Sequence, residues 1–192
     1  MLKSMDFSLL ATKPSPKTTN ILLLLSLVVS ILCSIIMNPI EAFLVEKSGY
    51  GVLDLEFMWN PNEASIILDA WGEDGIQKEI LVTYYDMIFL VAYSTLTATV
   101  ALRNLRTYST LRKIDPSRQQ KLFYITLLPF IAAGFDLIEN LNLLIVLTNP
   151  QSIHLINTFL ASFCATIKFL ILGITIVAVL VIFFGNLLFK MR

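Results

Sequence analysis

The chain has 192 residues, of which 56% are hydrophobic and 15% are charged, and its mean hydropathy is +0.76. Soluble globular proteins contain roughly 45–50% apolar and about 25% charged residues, so this composition excludes an ordinary soluble domain and is typical of an integral membrane protein. The 14 basic and 14 acidic residues give a formal net charge of zero, which argues against a protein that binds nucleic acid by phosphate attraction. The composition therefore predicts a lipid bilayer, and no nucleic acid, as the main partner.

Four apolar runs follow in chain order, and each is long enough to cross a bilayer, which takes about 20 apolar residues. A charge or a Pro/Asn break ends each run. The runs cover about residues 21–37, 80–102, 122–148 and 153–189, and residues 38–79 form the longest connection. We therefore predict an all-α integral membrane four-helix bundle with up-down-up-down topology, in which residues 1–192 form a single membrane domain.

The distribution of Lys and Arg predicts the orientation of this bundle. The N-terminal segment, the second connection and the C-terminal segment are basic, whereas residues 38–79 contain nine acidic residues and only Lys47 and Lys78 as cations. Basic residues that flank spans remain in the cytoplasm, so we predict a multi-pass protein of the cell membrane with both termini cytoplasmic. An alternative for the N-terminal segment is a secretory signal peptide, whose basic start would contain Lys3, Lys13 and Lys17. The apolar region of a signal peptide is usually only about 7–15 residues long, which is shorter than the first apolar run.

The first connection contains a predicted amphipathic helix over residues 61–71. Asn60 is a suitable N-cap, Pro61 suits the first helical position, and Gly72 is a natural end. The apolar face at i, i+3, i+4 and i+7 spacing consists of Ala64, Ile67, Leu68 and Trp71. Such a helix is expected to lie flat on the outer interface or over the mouth of the bundle. Ahead of it, residues 52–57 alternate with period two, which predicts a short extended segment.

Ionisable residues within the predicted spans lie at similar depths. They are Asp86, Asp136, Glu139 and Lys168. At about 1.5 Å per residue, counting from the cytoplasmic flanks puts all four in a layer roughly 10 Å thick in the outer half of the membrane. Asn140 shares the helical face of Asp136 and Glu139, and Tyr93 follows Asp86 by two turns. Because charged groups in hydrocarbon normally face the interior of a bundle, these six residues form the candidate binding site.

The polar layer has both a structural and a functional interpretation. In the structural one, Lys168 pairs with an acid of the third span, and the other acids are protonated and hydrogen-bonded to a tyrosine or to Asn140. In the functional one, three acids against one lysine leave two excess negative charges, which a proton, a metal cation or a cationic ligand must neutralise. We therefore predict a site for a small ligand, lipid or cation. The alternatives are a non-catalytic accessory or scaffolding subunit, and a membrane enzyme that acts on lipid head groups through a carboxylate.

Other residues with reactive side chains predict no cofactor, no metal site and no identifiable catalytic residue. Cys33 and Cys164 stand alone on separate apolar runs, and His154 is the only histidine of the chain, so a zinc or haem site lacks ligands. Pro129 in the third run predicts a bend. The basic second connection is interpreted as a topology signal, with a site for anionic lipid as the alternative.

Several short motifs carry a resemblance to a known family. They include Asn60-Pro61-Asn62-Glu63-Ala64, Phe135-Asp136-Leu137-Ile138-Glu139-Asn140 and Thr166-x-Lys168. From about residue 20 onwards the chain resembles an uncharacterised family of small four-span microbial integral membrane proteins. In that family an acidic residue in the second span, an Asp-x-x-Glu-Asn element in the third and a Thr-x-Lys in the fourth recur. The resemblance implies that these residues form one constellation, and it implies no activity.

Overall fold

The computed structural model describes residues 14–191, without the side chains of Pro116 and Ser117. Lys3, Lys13 and Arg192, which belong to the orientation argument, lie outside the described residues. The described part of the chain is 89% helix and has no β-strands. Its elements are α1 (Pro16–Ser48), α2 (Val52–Glu56), α3 (Pro61–Arg112), α4 (Pro116–Phe123), a 3-10 helix (Tyr124–Leu127), α5 (Leu128–Thr148) and α6 (Leu155–Lys190). Four segments are long and apolar enough to cross a membrane: Pro16–Ser48, Pro61–Arg112, Arg118–Thr148 and Leu155–Lys190.

Helix α1 continues past Asn38 and Pro39, where the sequence predicts the end of the first apolar run. A proline inside a helix removes one backbone hydrogen bond and usually bends or ends the helix. Here the residues beyond Pro39 pack into the main hydrophobic core, in which Leu44 is completely buried. Burial of this last part of α1 offsets the missing hydrogen bond, so the helix ends only at Ser48.

The predicted extended segment at residues 52–57 is wrong, because Val52–Glu56 forms the short helix α2. Its first N–H groups are capped by carboxylates: Gly51 N–H donates to Asp54 at 2.7 Å and Val52 N–H donates to Glu41 at 2.8 Å. The alternating apolar residues predicted a strand with one buried face. In the structure, Leu55 is the only apolar side chain of this segment that is fully buried. Capping by two acids therefore overrides the local period-two pattern.

The predicted helix over residues 61–71 is confirmed as the first part of α3. The Asn60 side chain accepts a hydrogen bond from Glu63 N–H at 3.1 Å, and the helical path breaks at Gly72, where φ is 65° and ψ is 179°. Only glycine adopts such a conformation readily. The predicted apolar face is buried, and Trp71 is fully enclosed and donates its indole N–H to Tyr50 O at 2.9 Å. The apolar face of this helix thus packs into the main hydrophobic core.

The third apolar segment is discontinuous, but not in the way that Pro129 predicts. The 3-10 helix Tyr124–Leu127 joins α4 to α5, and Pro129 lies in the first turn of α5. A proline is tolerated there because the first N–H groups of a helix have no intrahelical acceptor. The break therefore comes before the proline, and α5 itself runs without interruption past the polar residues.

Contacts between distant residues define two ends of the molecule. At one end, Arg106 of α3 donates to Pro14 O at 2.9 Å, and Asn186 of α6 donates to Asn104 O at 3.1 Å. We call this the basic end; it comprises the start of α1, the end of α3, α4 and the end of α6. The opposite, acidic end contains the end of α1, α2, the first part of α3 and the connection between α5 and α6. The main core, with Trp71 at its centre, lies at the acidic end.

Candidate functional site

Lys168 of α6 forms the centre of a buried ion cluster with α5. Its Nζ lies 2.9 Å from the Glu139 carboxylate and 3.2 Å from Asp136 Oδ1. The side chains of Lys168, Asp136 and Glu139 are only 6%, 3% and 0% exposed. Asp136 and Glu139 share one face because they are three residues apart on a regular helix. The structure thus brings together the lysine and the two acids that the sequence predicted to face it.

The remaining predicted residues connect this cluster to α3. Tyr93 O–H donates to Asp136 Oδ2 at 2.8 Å, and Asn140 Nδ2 donates to Asp86 Oδ2 at 2.6 Å. Tyr93 therefore donates its hydrogen bond to an acid on α5 and not to Asp86, which lies on the same helix as Tyr93. All six residues predicted for the site belong to one polar layer between α3, α5 and α6.

Two further acids of the layer were assigned by sequence to the acidic connection. Glu56 of α2 lies with its Oε2 3.5 Å from Lys168 Nζ, and Glu79 of α3 is 1% exposed. A sequence signal for Glu79 exists, since it precedes Thr83 and Asp86 by four and seven residues on one helical face. Nothing local indicates Glu56, because its position depends on how α2 packs against α6.

The placement of α2 depends on close contact with α1. The Glu41 carboxylate of α1 accepts the N–H of Val52, directly after Gly51. A Cβ atom at Gly51 would collide with that same carboxylate. A larger residue at this position would therefore force the Glu41 side chain to move away from Val52 N–H, and this contact helps to hold the helix that delivers Glu56 to the layer.

A small cavity adjoins the ion cluster, with a volume of about 40 Å³. Its polar lining consists of Glu56, Glu79, Thr83, Asp86 and Asn140, and the remaining lining residues are apolar. A water molecule occupies about 30 Å³ in the liquid, so the cavity has room for one bare ion or a water molecule. Among the described residues, Glu79 Oε2 has no hydrogen-bond partner although it is buried.

The charges of the layer do not balance. Within residues 14–191, Lys168 contacts the carboxylates of Glu56, Asp136 and Glu139, and Glu79 and Asp86 line the adjoining cavity, so five carboxyl groups and one ammonium group leave four excess negative charges if all are ionised. The sequence-based excess was two. Burial raises the pKa of Glu56 above its ordinary value of 4.5, against the opposing effect of Lys168. Such an excess in a medium of low dielectric constant requires neutralisation.

The structure shows no preformed metal centre in the described part of the chain. No group of three or more His, Cys, Asp or Glu side chains there is arranged to hold a metal ion. Cys33 and Cys164 are buried and free. The chemistry available to the layer is therefore that of carboxyl, amide, hydroxyl and ammonium groups.

These features define a class: an all-helical protein with four apolar segments of membrane-spanning length and a buried carboxylate layer that one lysine only partly neutralises. Comparisons with known protein families, curated protein sequences and solved structures found no match for the chain. The resemblance stated from the sequence motifs stays a prediction. Function must therefore be inferred from the geometry of the layer.

Proposed function

We propose that the chain is a multi-pass protein of the cell membrane, inserted up-down-up-down with both termini in the cytoplasm. Four segments have the required length and hydropathy. Large apolar side chains on their surfaces are exposed, for example Leu24 at 60% and Val181 at 67%, as expected for residues that face lipid. The basic end collects most of the Lys and Arg residues, which supports a cytoplasmic position for that end.

Cysteine labelling in intact cells tests this topology. Glu73→Cys at the acidic end and Lys113→Cys at the basic end introduce exposed thiols, and the native Cys33 and Cys164 are buried. We expect a membrane-impermeant maleimide to label residue 73 in intact cells and residue 113 only after permeabilisation. Labelling of residue 113 in intact cells would contradict the proposed orientation. If neither residue is labelled after permeabilisation, the two positions are not exposed as the structure describes them.

We further propose that the cavity beside the ion cluster binds a small cation: a proton, or an alkali-metal ion held in part by the Thr83 hydroxyl and the Asn140 amide, since no three acidic side chains of the described residues are arranged to hold a metal ion by themselves. One observation supports this most directly: Glu79 Oε2 is buried without a hydrogen-bond partner among the described residues, and the side chain lines the cavity. Two other carboxylates, of Glu56 and Asp86, line the same space. A bound cation would satisfy the free oxygen and reduce the excess negative charge.

The size of the cavity favours a small cation over a lipid or an organic ligand. Pockets for drug-sized ligands measure roughly 300–1,000 Å³, whereas this cavity measures about 40 Å³. Thr83 and Asn140 add a hydroxyl and an amide to the lining, which are ordinary partners for water or a desolvated ion. A lipid head group has no room there, so the same argument weighs against a head-group enzyme at this site.

The test compares unfolding free energies of the purified chain for wild type, Glu79→Gln and Asp86→Asn between pH 5 and 9. If the cation is a proton, the folded chain holds about one more proton than the unfolded chain. The unfolding free energy of the wild type, minus that of Glu79→Gln, then falls by about 1.4 kcal/mol per pH unit as the pH rises. Glu56 and Asp86 line the same cavity as Glu79 and contribute to this response.

A sodium arm distinguishes the two cations. Unfolding is measured in NaCl and in N-methyl-D-glucamine chloride at equal ionic strength. If the site binds sodium, NaCl stabilises the wild type by about 2.7 kcal/mol when sodium is at 100 times its dissociation constant, and Glu79→Gln abolishes the gain. Glu73→Gln is the matched control, because Glu73 is an exposed glutamate of the same helix. Equal pH and sodium responses of wild type and Glu79→Gln would contradict the cation site.

A second candidate function has its own support. Lys168 contacts three carboxylates in a closed core, which is the geometry expected of a structural ion cluster in an accessory or scaffolding subunit. In that case the acids are protonated in the folded chain, so Glu79→Gln and Asp86→Asn would still change the pH dependence of stability, but neither would change a response to sodium. The sodium titration therefore separates a sodium site from a structural layer.

A further inference from the structure

A second recess, unrelated to the carboxylate layer, opens at the basic end. It measures about 770 Å³ and lies between the end of α3, α4 and the 3-10 helix. Its basic lining residues are Arg112, Lys113, Arg118 and Lys121. Asp115 is the one acidic residue among the described lining residues, and Tyr108, Leu122 and Ile125 contribute apolar and aromatic surface. The recess therefore combines a concentrated positive charge with an apolar wall.

Aromatic rings hold one of the four cations in place. The guanidinium carbon of Arg112 lies 5.4 Å from the centre of the Tyr108 ring and 5.3 Å from that of Phe189. Both distances are within the range of a cation–π interaction, about 6 Å. Phe189 belongs to α6, so the contact joins the ends of α3 and α6 and restricts Arg112 beside the recess.

The position of the recess indicates what it meets. The recess lies between the end of the apolar segment Pro61–Arg112 and the start of the segment Arg118–Thr148. If these segments cross a membrane, the recess lies at the level of the lipid head groups. Basic pockets between membrane helices on the cytoplasmic side bind anionic head groups. The volume of about 770 Å³ also lies within the usual range for ligand sites, roughly 300–1,000 Å³.

We propose that this recess binds the phosphate head group of an anionic phospholipid. The four basic side chains contact the phosphate, and the surface of Leu122 and Ile125 contacts the glycerol and the first methylenes of the acyl chains. The proposal rests on membrane insertion of the chain, and it is independent of the cation site. A general attraction between a basic protein surface and anionic lipid is the competing explanation, and the control variant below is chosen to separate the two.

The experiment uses the full purified chain in a non-ionic detergent. Phosphatidylglycerol or phosphatidylcholine with the same acyl chains is added, and bound lipid is measured by native mass spectrometry and by the shift in thermal unfolding. Inorganic phosphate and glycerol 3-phosphate are added in parallel as soluble probes. The test variant is Arg118→Gln with Lys121→Gln. The control is Lys17→Gln with Arg103→Gln, which removes the same charge from the same end but outside this recess.

We expect phosphatidylglycerol, and not phosphatidylcholine, to bind the wild type and raise its unfolding temperature. The test variant should bind about 30-fold more weakly, since each basic residue near anionic lipid contributes about fivefold; this loss is about 2 kcal/mol at 1.4 kcal/mol per factor of ten. The control variant should bind within about threefold of the wild type.

Three outcomes would overturn the proposal. An equal loss in the test and control variants would mean diffuse attraction. Equal binding of phosphatidylcholine would mean that the head-group charge has no role. An equal shift with inorganic phosphate or glycerol 3-phosphate would identify a soluble phosphate ligand instead of a lipid. All measurements of lipid binding are made in detergent, so they do not depend on the orientation of the chain, which the cysteine labelling tests. They also do not depend on the cation site, which the pH and sodium titrations test.

Discussion

The polar layer has two halves that share a residue type but differ in their partners. The Lys168 half contains Lys168, Asp136, Glu139 and Glu56, and the cavity half contains Glu79, Thr83, Asp86 and Asn140. In the first half, one ammonium group lies within 3.5 Å of each of three carboxylates. In the second half, Asp86 accepts a hydrogen bond from the Asn140 amide. Glu79 Oε2 accepts none from the described residues.

This difference shows how similar carboxylates acquire different properties. Glu139 Oε2 likewise has no hydrogen-bond partner among the described residues, but it lies 2.9 Å from Lys168 Nζ, so its charge is compensated, and removal of one partner would leave the other charge uncompensated. A buried carboxylate that only an amide contacts, or that has a free oxygen, gains stability when a cation enters. We therefore expect substitutions of Lys168, Asp136 and Glu139 to change mainly stability, and substitutions in the cavity half to change the response to cations. Glu56 contacts Lys168 and also lines the cavity, so its substitution should change the response to pH.

The largest expected effect is that of Lys168→Met, which keeps the length of the side chain and removes the cation. Breaking a buried ion pair on one side costs about 3–5 kcal/mol. Chemical denaturation of the purified chain should show this loss, and Lys168→Met combined with Glu139→Gln should recover part of it. Lys78→Met, at a half-exposed pair with Asp74, should change stability little. A double variant no more stable than Lys168→Met alone would contradict the pairing.

Asn140→Leu should have the next largest effect, because it removes the amide that donates to Asp86. Leaving a buried acceptor without its donor costs about 1–3 kcal/mol. Asn142→Leu is the matched control on the same helix, since it breaks the contact with Asn157 at 3.0 Å outside the layer. Both variants should lose stability in denaturation, but only Asn140→Leu should alter the pH or sodium response. The same response in both variants would remove Asn140 from the cation site.

Gly51→Ala tests whether α2 holds Glu56 in the Lys168 half. The added Cβ would collide with the Glu41 carboxylate, so this side chain would move away from Val52 N–H, and the lost hydrogen bond costs about 1 kcal/mol or more. Gly134→Ala is the control, because a Cβ there meets no atom within 4 Å, and alanine is favoured over glycine inside a helix. Denaturation should show a loss for the first and none for the second. A neutral Gly51→Ala would mean that α2 is not tightly constrained.

Glu56→Gln should have the smallest effect, visible as a pH dependence. Burial raises the pKa of Glu56 above 4.5, so the folded chain favours its neutral form. Its contribution to stability is then complete below pH 4.5 and is lost as the pH rises through the raised pKa. The stability of wild type relative to Glu56→Gln should fall as the pH rises above 4.5, with the exposed Glu63→Gln as control. A rise instead would mean that attraction by Lys168 exceeds the cost of burial.

The sequence by itself determined the features that depend on nearby residues. Hydropathy over about 20 residues located the four apolar segments, and Asn60, Pro61 and Gly72 determined where the helix of Trp71 begins and ends. The spacing of Asp136, Glu139 and Asn140 placed them on one face, because helical geometry relates residues three and four apart. The prediction of a polar layer required no knowledge of which side chains meet.

Only the tertiary structure decided the features that depend on contacts between distant residues. The start of helix α2 is capped by the Glu41 carboxylate, eleven residues away from Val52, and the local period-two pattern of that segment was misleading. Glu56 reaches Lys168 across 112 positions of the chain, and this contact added to the layer an acid that sequence had assigned to an exposed connection. The charge balance of the site follows from such packing, because the neutralisation of a buried carboxylate depends on the groups that the fold brings beside it.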